Sequence, residues 1–393
     1  MVPELLGVLI GVIAGIVPGI HPNTFASLML GFSFIFSQYF SNYEIAIILF
    51  VASIVYSVVN IIPAVFVGIP DEDTSLAVFP GHRLVLDGQG FNAISLSAIS
   101  SFVSSVMSIP LYYLLLMFPN YIESLGDLTK IVLILVIAYL IYLEREPFGG
   151  SLVSWKKRFY SLLVIISSGF LGYISLRYYN NSEISVLFPL LSGLFAFPTL
   201  IASIKSEKIP EQKFTIEFPR IGNILRGVLS GLFVSLFPGI SSGVATALSV
   251  RRNDSEKDYI TSISSANTAN TFLNFAVLVS TGRVRSGIAE AFSRLTDPTC
   301  FALLPFIGIS AAFVAFGLTL LISLPITRLF NYISPSKISK AILIFLVASV
   351  YLTNGFSGLA IFAAASSIGT ATLFLRVRRI SCMGVIILPT LFR

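Results

Sequence analysis

The sequence predicts an all-α polytopic integral membrane protein made of two inverted repeats, each opening with a re-entrant helical hairpin broken at Pro-Gly. Three observations predict it. Of 393 residues, 55% are hydrophobic and only 11% charged, with a mean hydropathy of +0.90, a balance far from that of a soluble domain. Apolar stretches of the kind that cross a bilayer, a task for roughly 20 residues, recur along the chain. Examples are Ile45 to Ile69, Ile131 to Leu143, Ile184 to Ile204 and Ala302 to Leu324. Finally, the interrupted stretch GIVPGIHPNT, from Gly15 to Thr24, is answered by SLFPGISSGV, from Ser235 to Val244. Ser, Asn and Gly spread through the apolar runs favour packed helices over the ten-residue alternation of a β-barrel.

In the first half, MVPELLGVLIGVIAG has no basic n-region and reads as mature structure. A hairpin follows over residues 5–36. Pro18 removes a backbone donor and stops a half-helix, and Gly19 permits a close turn. His21, Asn23 and Thr24 then cap the next half-helix. The following span carries a polar stripe of Ser53, Tyr56, Ser57 and Asn60. Asp71, Glu72 and Asp73 read as a hydrated turn, with cation binding as the alternative. His82 and Arg83 stand behind Pro80-Gly81, and Ser97, Ser101, Ser104 and Ser108 read as close-packing positions on a helix.

Residues 1–204 form the first repeat, 205–223 a basic linker and 224–393 the second repeat, whose hairpin covers 224–250. Placing Pro18 on Pro238 also superposes Gly7 on Gly227, Gly11 on Gly231, Gly19 on Gly239 and Ile20 on Ile240. Ser241, Ser242 and Gly243 occupy the capping positions after the second break. Asn267, Asn270, Thr271 and Asn274 recur at three- and four-residue spacing, a stripe of amides and a hydroxyl on one helix face. Arg283 and Arg285 follow Gly282, matching Arg83 in the first half.

Basic residues set the orientation. The loops 144–158 and 205–226 are the richest in Lys and Arg and are predicted cytoplasmic. A hairpin at the second break leaves Arg251, Arg252, Lys257, Arg328, Lys337, Lys340, Arg376, Arg378 and Arg379 inside, with Arg283, Arg285 and Arg294 outside. A single span would reverse that division. Counting backwards puts Glu44, Glu123 and Asp127 outside and Arg83 inside. The two hairpins then enter from opposite sides, the arrangement secondary transporters use for alternating access.

Two half-helices halted near the midplane would offer backbone amides and positive dipole ends to an anion. The residues predicted to hold it are Pro18, Gly19, His21, Asn23, Thr24, Pro238, Gly239, Ser241, Ser242, Gly243, Asn267, Asn270, Thr271, Asn274, Arg83, Arg283 and Arg285, the arginines because their forks bind carboxylate or phosphate in bidentate fashion. No cofactor is expected. The coupling ion would be Na+ or H+, with His21 as the titrating group in the second case. No P-loop, dinucleotide turn, metal-binding helix or nucleophile elbow occurs, so an enzyme is not expected. Cys300 and Cys382 lack metal spacing and read as buried thiols. The net charge of +6 reflects cytoplasmic loops, not a nucleic-acid partner. Membrane lipid and an anionic small molecule are the expected partners, and a homodimer is expected by analogy with carriers in general.

GVLIGVIAGIVPGIHPNTFASLMLGFS, VGIPDEDTSLAVFPGHRLVLDGQG and SSANTANTFLNFAVLVSTGRVRSG resemble segments of the large membrane subunit of the tripartite tricarboxylate transporters, including its archaeal stand-alone relatives. The resemblance covers most of the chain. It implies a cation-coupled carrier of organic anions with inverted repeats, in the cell membrane, with substrate contacts at Pro18 to Thr24, Pro238 to Gly243 and Asn267 to Asn274. STGRVRSG stands where that family usually has Gly-Ile-Pro-Gly. FPGISSGVATAL is similar to a turn of the polyprenyl-phosphate translocases, which implies a lipid-phosphate substrate as the alternative.

Overall fold

A computed structural model describes residues 2–17, 36–68, 76–144, 150–178, 186–203, 211–251, 254–284, 286–296, 303–332 and 335–392. Pro18 to Thr24, Asp71 to Asp73, Arg285 and Cys300 lie outside these residues. No strand occurs among the described residues.

The first half contains α1 (Val2–Ile16), α2 (Asn42–Val59), α3 (Val78–Leu86), α4 (Gly90–Met117), α5 (Pro119–Asp127), α6 (Thr129–Tyr142), α7 (Gly150–Tyr178), α8 (Leu187–Leu191) and α9 (Phe197–Ser203). The second contains α10 (Ile221–Leu236), α11 (Ser242–Ser249), α12 (Glu256–Thr281), α13 (Gly287–Leu295), α14 (Leu304–Tyr332), α15 (Pro335–Phe374) and α16 (Gly384–Leu391). Among the described residues, five helices are long and apolar enough to cross a membrane: Asn42–Phe66, Gly90–Met117, Gly150–Arg177, Leu304–Arg328 and Ser339–Phe374. A sixth span results if α5 and α6, bent by 57° at their junction, count as one. The chain is an all-α, multi-pass integral membrane protein.

Two predicted spans need correction. Ile131 to Leu143 is too short to cross alone, because α6 has 14 residues, about 21 Å of helix. It needs α5. Of Ile184 to Ile204, the described residues hold a short apolar helix, Leu187–Ile201, in which the π-helical turn Ser192–Ala196 separates α8 from α9.

Helix α2 is mostly apolar and its whole spanning window is buried inside the protein, as expected of a core helix. Its counterpart α12 is also mostly buried but rich in Ser, Thr and Asn. Both begin with a capping box, Ser41 with Glu44 and Ser255 with Asp258, which satisfies first-turn amides. Each such segment ends at a left-handed glycine, Gly68 (φ 71°) and Gly282 (φ 68°). Ser41, Glu44 and Gly68 stand 214 residues before Ser255, Asp258 and Gly282, whereas Pro18 stands 220 before Pro238. The second connection is therefore six residues shorter than the first.

Packing follows the same register. A Cβ on Gly11 would lie 2.6 Å from the Ala52 carbonyl oxygen, and one on Gly231 would lie 2.6 Å from that of Ala266. Gly7 and Gly227 make the preceding contacts, to Ile48 and Ser262. Contacts advance together along both partners, so α1 runs parallel to α2 and α10 parallel to α12. Further along the chain, Gly172 meets the Val385 carbonyl and Gly369 that of Leu194, while Gly193 meets Phe362 and Gly384 meets Ile165. These four contacts are reciprocal: α7 holds the C-terminal segment as α15 holds the α8–α9 segment. The halves also exchange neighbours at the centre, α3 and α4 packing on α12, and α13 and α14 on α2.

Candidate functional site

The second break folds as a hairpin. Helix α10 stops at Leu236, Phe237 turns extended and Gly239 takes φ +86°, a conformation glycine adopts without strain. A Cβ there would also strike Thr390 at 2.7 Å. Ser241 then caps α11, its side chain accepting from the Val244 amide at 3.3 Å. Helix α11 returns along α10: Ser230 Oγ donates to the Ala245 carbonyl at 3.4 Å and to Ser249 Oγ at 3.3 Å, and Arg226 donates to the Ser249 carbonyl at 3.4 Å. Ser242 and Gly243 are buried at the start of this limb, with Leu76 against Gly243. Pro238 leads into the turn, partly exposed.

The amide stripe of α12 faces α2. Asn267 Nδ2 donates to the Ser57 carbonyl at 3.1 Å and reaches Asn60 Oδ1 at 3.5 Å, and Ser57 Oγ lies 3.5 Å from Thr268 Oγ1. Further along, Phe50 packs edge-on against Phe272 and Phe275, with centroids 6.3 and 4.7 Å away. Positions rise along one helix as they fall along the other, so α2 and α12 cross antiparallel. Helix α4 closes the side: Ser264 Oγ donates to Ser97 Oγ at 2.7 Å, Ser104 Oγ to the Ser265 carbonyl at 2.7 Å and Ser101 Oγ to the Ser264 carbonyl at 3.3 Å. Ser57, Asn60, Ile61, Ser97, Ile263, Ser264 and Asn267 line a polar crevice at this crossing, too narrow for a water-sized sphere.

The other stripe members differ. Thr271 Oγ1 donates to the Asn267 carbonyl on its own helix at 3.0 Å, and Asn274 is half-buried one turn on. Asn270 is buried and its Oδ1 has no hydrogen-bond partner among the described residues. The arginines stand apart from the stripe. Arg83 pairs with Glu256 at 2.9 Å, while Arg283 donates to the Glu123 carbonyl at 3.1 Å and lies 4.0 Å from Asp127. Glu256 and Arg283 are at opposite ends of α12, about 40 Å apart along the helix. The structure thus brings together Asn267, Ser57 and Asn60, and leaves Arg83 and Arg283 at the two surfaces.

Charged groups cluster at the end that holds Arg83. Arg226 grips Asp254 at 2.6 Å, and Asn223 joins Arg226 to Asp258. The Arg226 hydrogen bond holds the Asp254 carboxyl below its ordinary range. Lys257 pairs with Glu217 at 2.6 Å, and Glu217 exchanges hydrogen bonds with Asn92 at 2.7 and 3.3 Å. The linker residues Gln212 and Lys213 bond to Val85, Gly88 and Gly90, strapping the two halves together. Every partner in this group belongs to the predicted cytoplasmic face, and Arg283, Glu123 and Asp127 to the opposite one. Sequence reasoning missed Thr246, a buried hydroxyl on α11; its place four residues after Ser242 was the signal available.

An uncharacterized protein of Methanocaldococcus jannaschii is 28% identical over 244 residues, 60% of this chain and 59% of that relative. The chain therefore spans about three fifths of that relative's length. No solved structure matches it. The model of the tripartite tricarboxylate transporter TctA family matches residues 2–384. With an all-helical membrane fold and a polar stripe buried at its centre, the chain belongs to the tripartite tricarboxylate transporter TctA family.

Proposed function

We propose that this protein is a secondary active transporter of an organic, tricarboxylate-like anion, coupled to a cation and working by alternating access between inverted repeats. The observation that carries the reading is the antiparallel crossing of α2 and α12, helices with the same caps and the same glycine-lined neighbour. Equivalent helices that cross antiparallel support a two-fold axis lying in the membrane plane, the symmetry of inverted repeats. Polar groups meet at the crossing, and α11, whose N-terminus Ser241 caps, packs on α12. Amide donors and a half-helix N-terminus together suit a carboxylate.

The direct test is thermal stability of the purified protein with citrate, other di- and tricarboxylates and a short-chain polyprenyl phosphate, followed by uptake into proteoliposomes. A ligand at a hundred times its Kd should stabilise by about 2.7 kcal/mol. A carboxylate is expected to stabilise and to be taken up, and Asn267→Ala should reduce its affinity about tenfold, near 1.4 kcal/mol. Stabilisation by the lipid phosphate alone would replace this reading with head-group translocation.

A further inference from the structure

Among the described residues, Thr246 Oγ1 and Asn270 Oδ1 are two of the buried side-chain oxygens of the second half that have no hydrogen-bond partner. Thr246 is 0% exposed and Asn270 8%. An unpaired buried hydroxyl or amide oxygen costs about 1–3 kcal/mol, so native folds rarely leave such groups without a ligand or water.

Their heights in the fold coincide. Along the hairpin, Ser230 faces Ala245, the residue beside Thr246. One residue on along α10, a Cβ on Gly231 would lie 2.8 Å from the Asn270 backbone nitrogen. One turn of α10, residues 230–231, is therefore flanked by Thr246 on the returning limb and by Asn270 on the stripe helix, and α11 itself packs on α12. Both atoms are neutral, hard oxygen donors. Hard cations take hydroxyl and amide oxygens, whereas soft transition metals favour thiolate and imidazole. Neither group titrates near neutral pH, which fits a metal cation and not a proton.

We infer that Thr246 and Asn270 form a subsite for an alkali cation, held between the return limb of the hairpin and α12. Asn270 then offers its oxygen to the cation, leaving its amide N–H groups for an anion. The subsite's part in coupling rests on the transporter reading, but cation binding itself does not. Occupancy would fasten α11 to α12.

The test is thermal stability of the purified full chain in sodium, potassium or N-methyl-D-glucamine chloride at constant ionic strength. The expected result is a saturating upward shift with an alkali cation that N-methyl-D-glucamine does not produce. Thr246→Val and Asn270→Leu should each weaken the apparent cation affinity about tenfold or more, whereas Asn270→Asp, which keeps the oxygen and adds charge, should retain it. An equal shift with N-methyl-D-glucamine, or full retention in Thr246→Val, overturns the proposal. Thr246→Val is nearly isosteric, so it decides the matter even if Asn270→Leu fails to fold. A carboxylate shift without a cation shift overturns this site and spares the carrier; a cation shift without any carboxylate effect does the reverse.

Discussion

At the scale of single residues, buried polar groups separate into those the fold has paired and those it has left open. Arg226 and Asp254 are paired, with side chains only 17% and 13% exposed. Because Arg226 lowers the folded-state pKa of Asp254 below its ordinary value of 3.8, this carboxylate's contribution to stability is complete above that value. It is lost as pH falls through the lowered one. Thermal unfolding scans across acidic pH should show that loss, and Asp254→Asn should both lower stability and flatten the acid limb; an unchanged limb would place the pair's stabilising effect elsewhere. The arginines teach a related lesson. Arg83 and Arg283 carry forks that suit anions, and in the structure each stands by an acidic partner, Glu256 and Asp127, far along the chain. No local pattern identifies such a partner. The amide stripe was legible because helical spacing alone places Asn267, Asn270 and Asn274 on one face.

At the scale of elements, local stops proved readable and tertiary distortions did not. Proline and glycine act through their own backbone, so the break at Pro238-Gly239 and the cap at Ser241 followed from the residues in place. The π-helical turn in Ser192–Ala196 lies where Gly193 approaches the Phe362 carbonyl and Ala365 closely, a contact set by a distant part of the chain. A re-entrant hairpin, with α11 retracing α10, predicts that residues before and after it share one side of the membrane. Single cysteines at Arg220 and Arg251 in a background lacking Cys300 and Cys382 should both react with an impermeant maleimide from the same face of sealed vesicles. Reaction from opposite faces would mean the segment crosses. The glycine seams carry a matching expectation. Gly231→Leu drives a side chain into Ala266 and Asn270, and overpacking of this kind costs typically 1–3 kcal/mol, so its Tm should fall well below that of Gly222→Leu, where a Cβ meets nothing within 4 Å.

At the scale of the whole molecule, the two halves are interleaved. Each central helix is clasped by elements of the other half, and α2 has no window left to lipid. A relative motion of the halves must therefore pass through the α2–α12 crossing, where Asn267 and Ser57 touch and the crevice admits no water. The sequence-level repeat could not reveal this interlocking, because superposition shows which residues correspond but not which halves embrace. Strapping at the Arg83 face, through Glu217, Lys257 and Asn92, limits motion there. A disulfide between cysteines introduced at Ser57 and Asn267, in a background free of the native pair, would hold the crossing shut. If substrate passes by opening this crossing, the oxidised protein should lose uptake and recover it on reduction. The control is the same variant kept reduced, which also reports whatever the two substitutions themselves cost. Uptake that survives full cross-linking would show that substrate moves by another route and leave the crossing as a structural seam between the two halves of the chain.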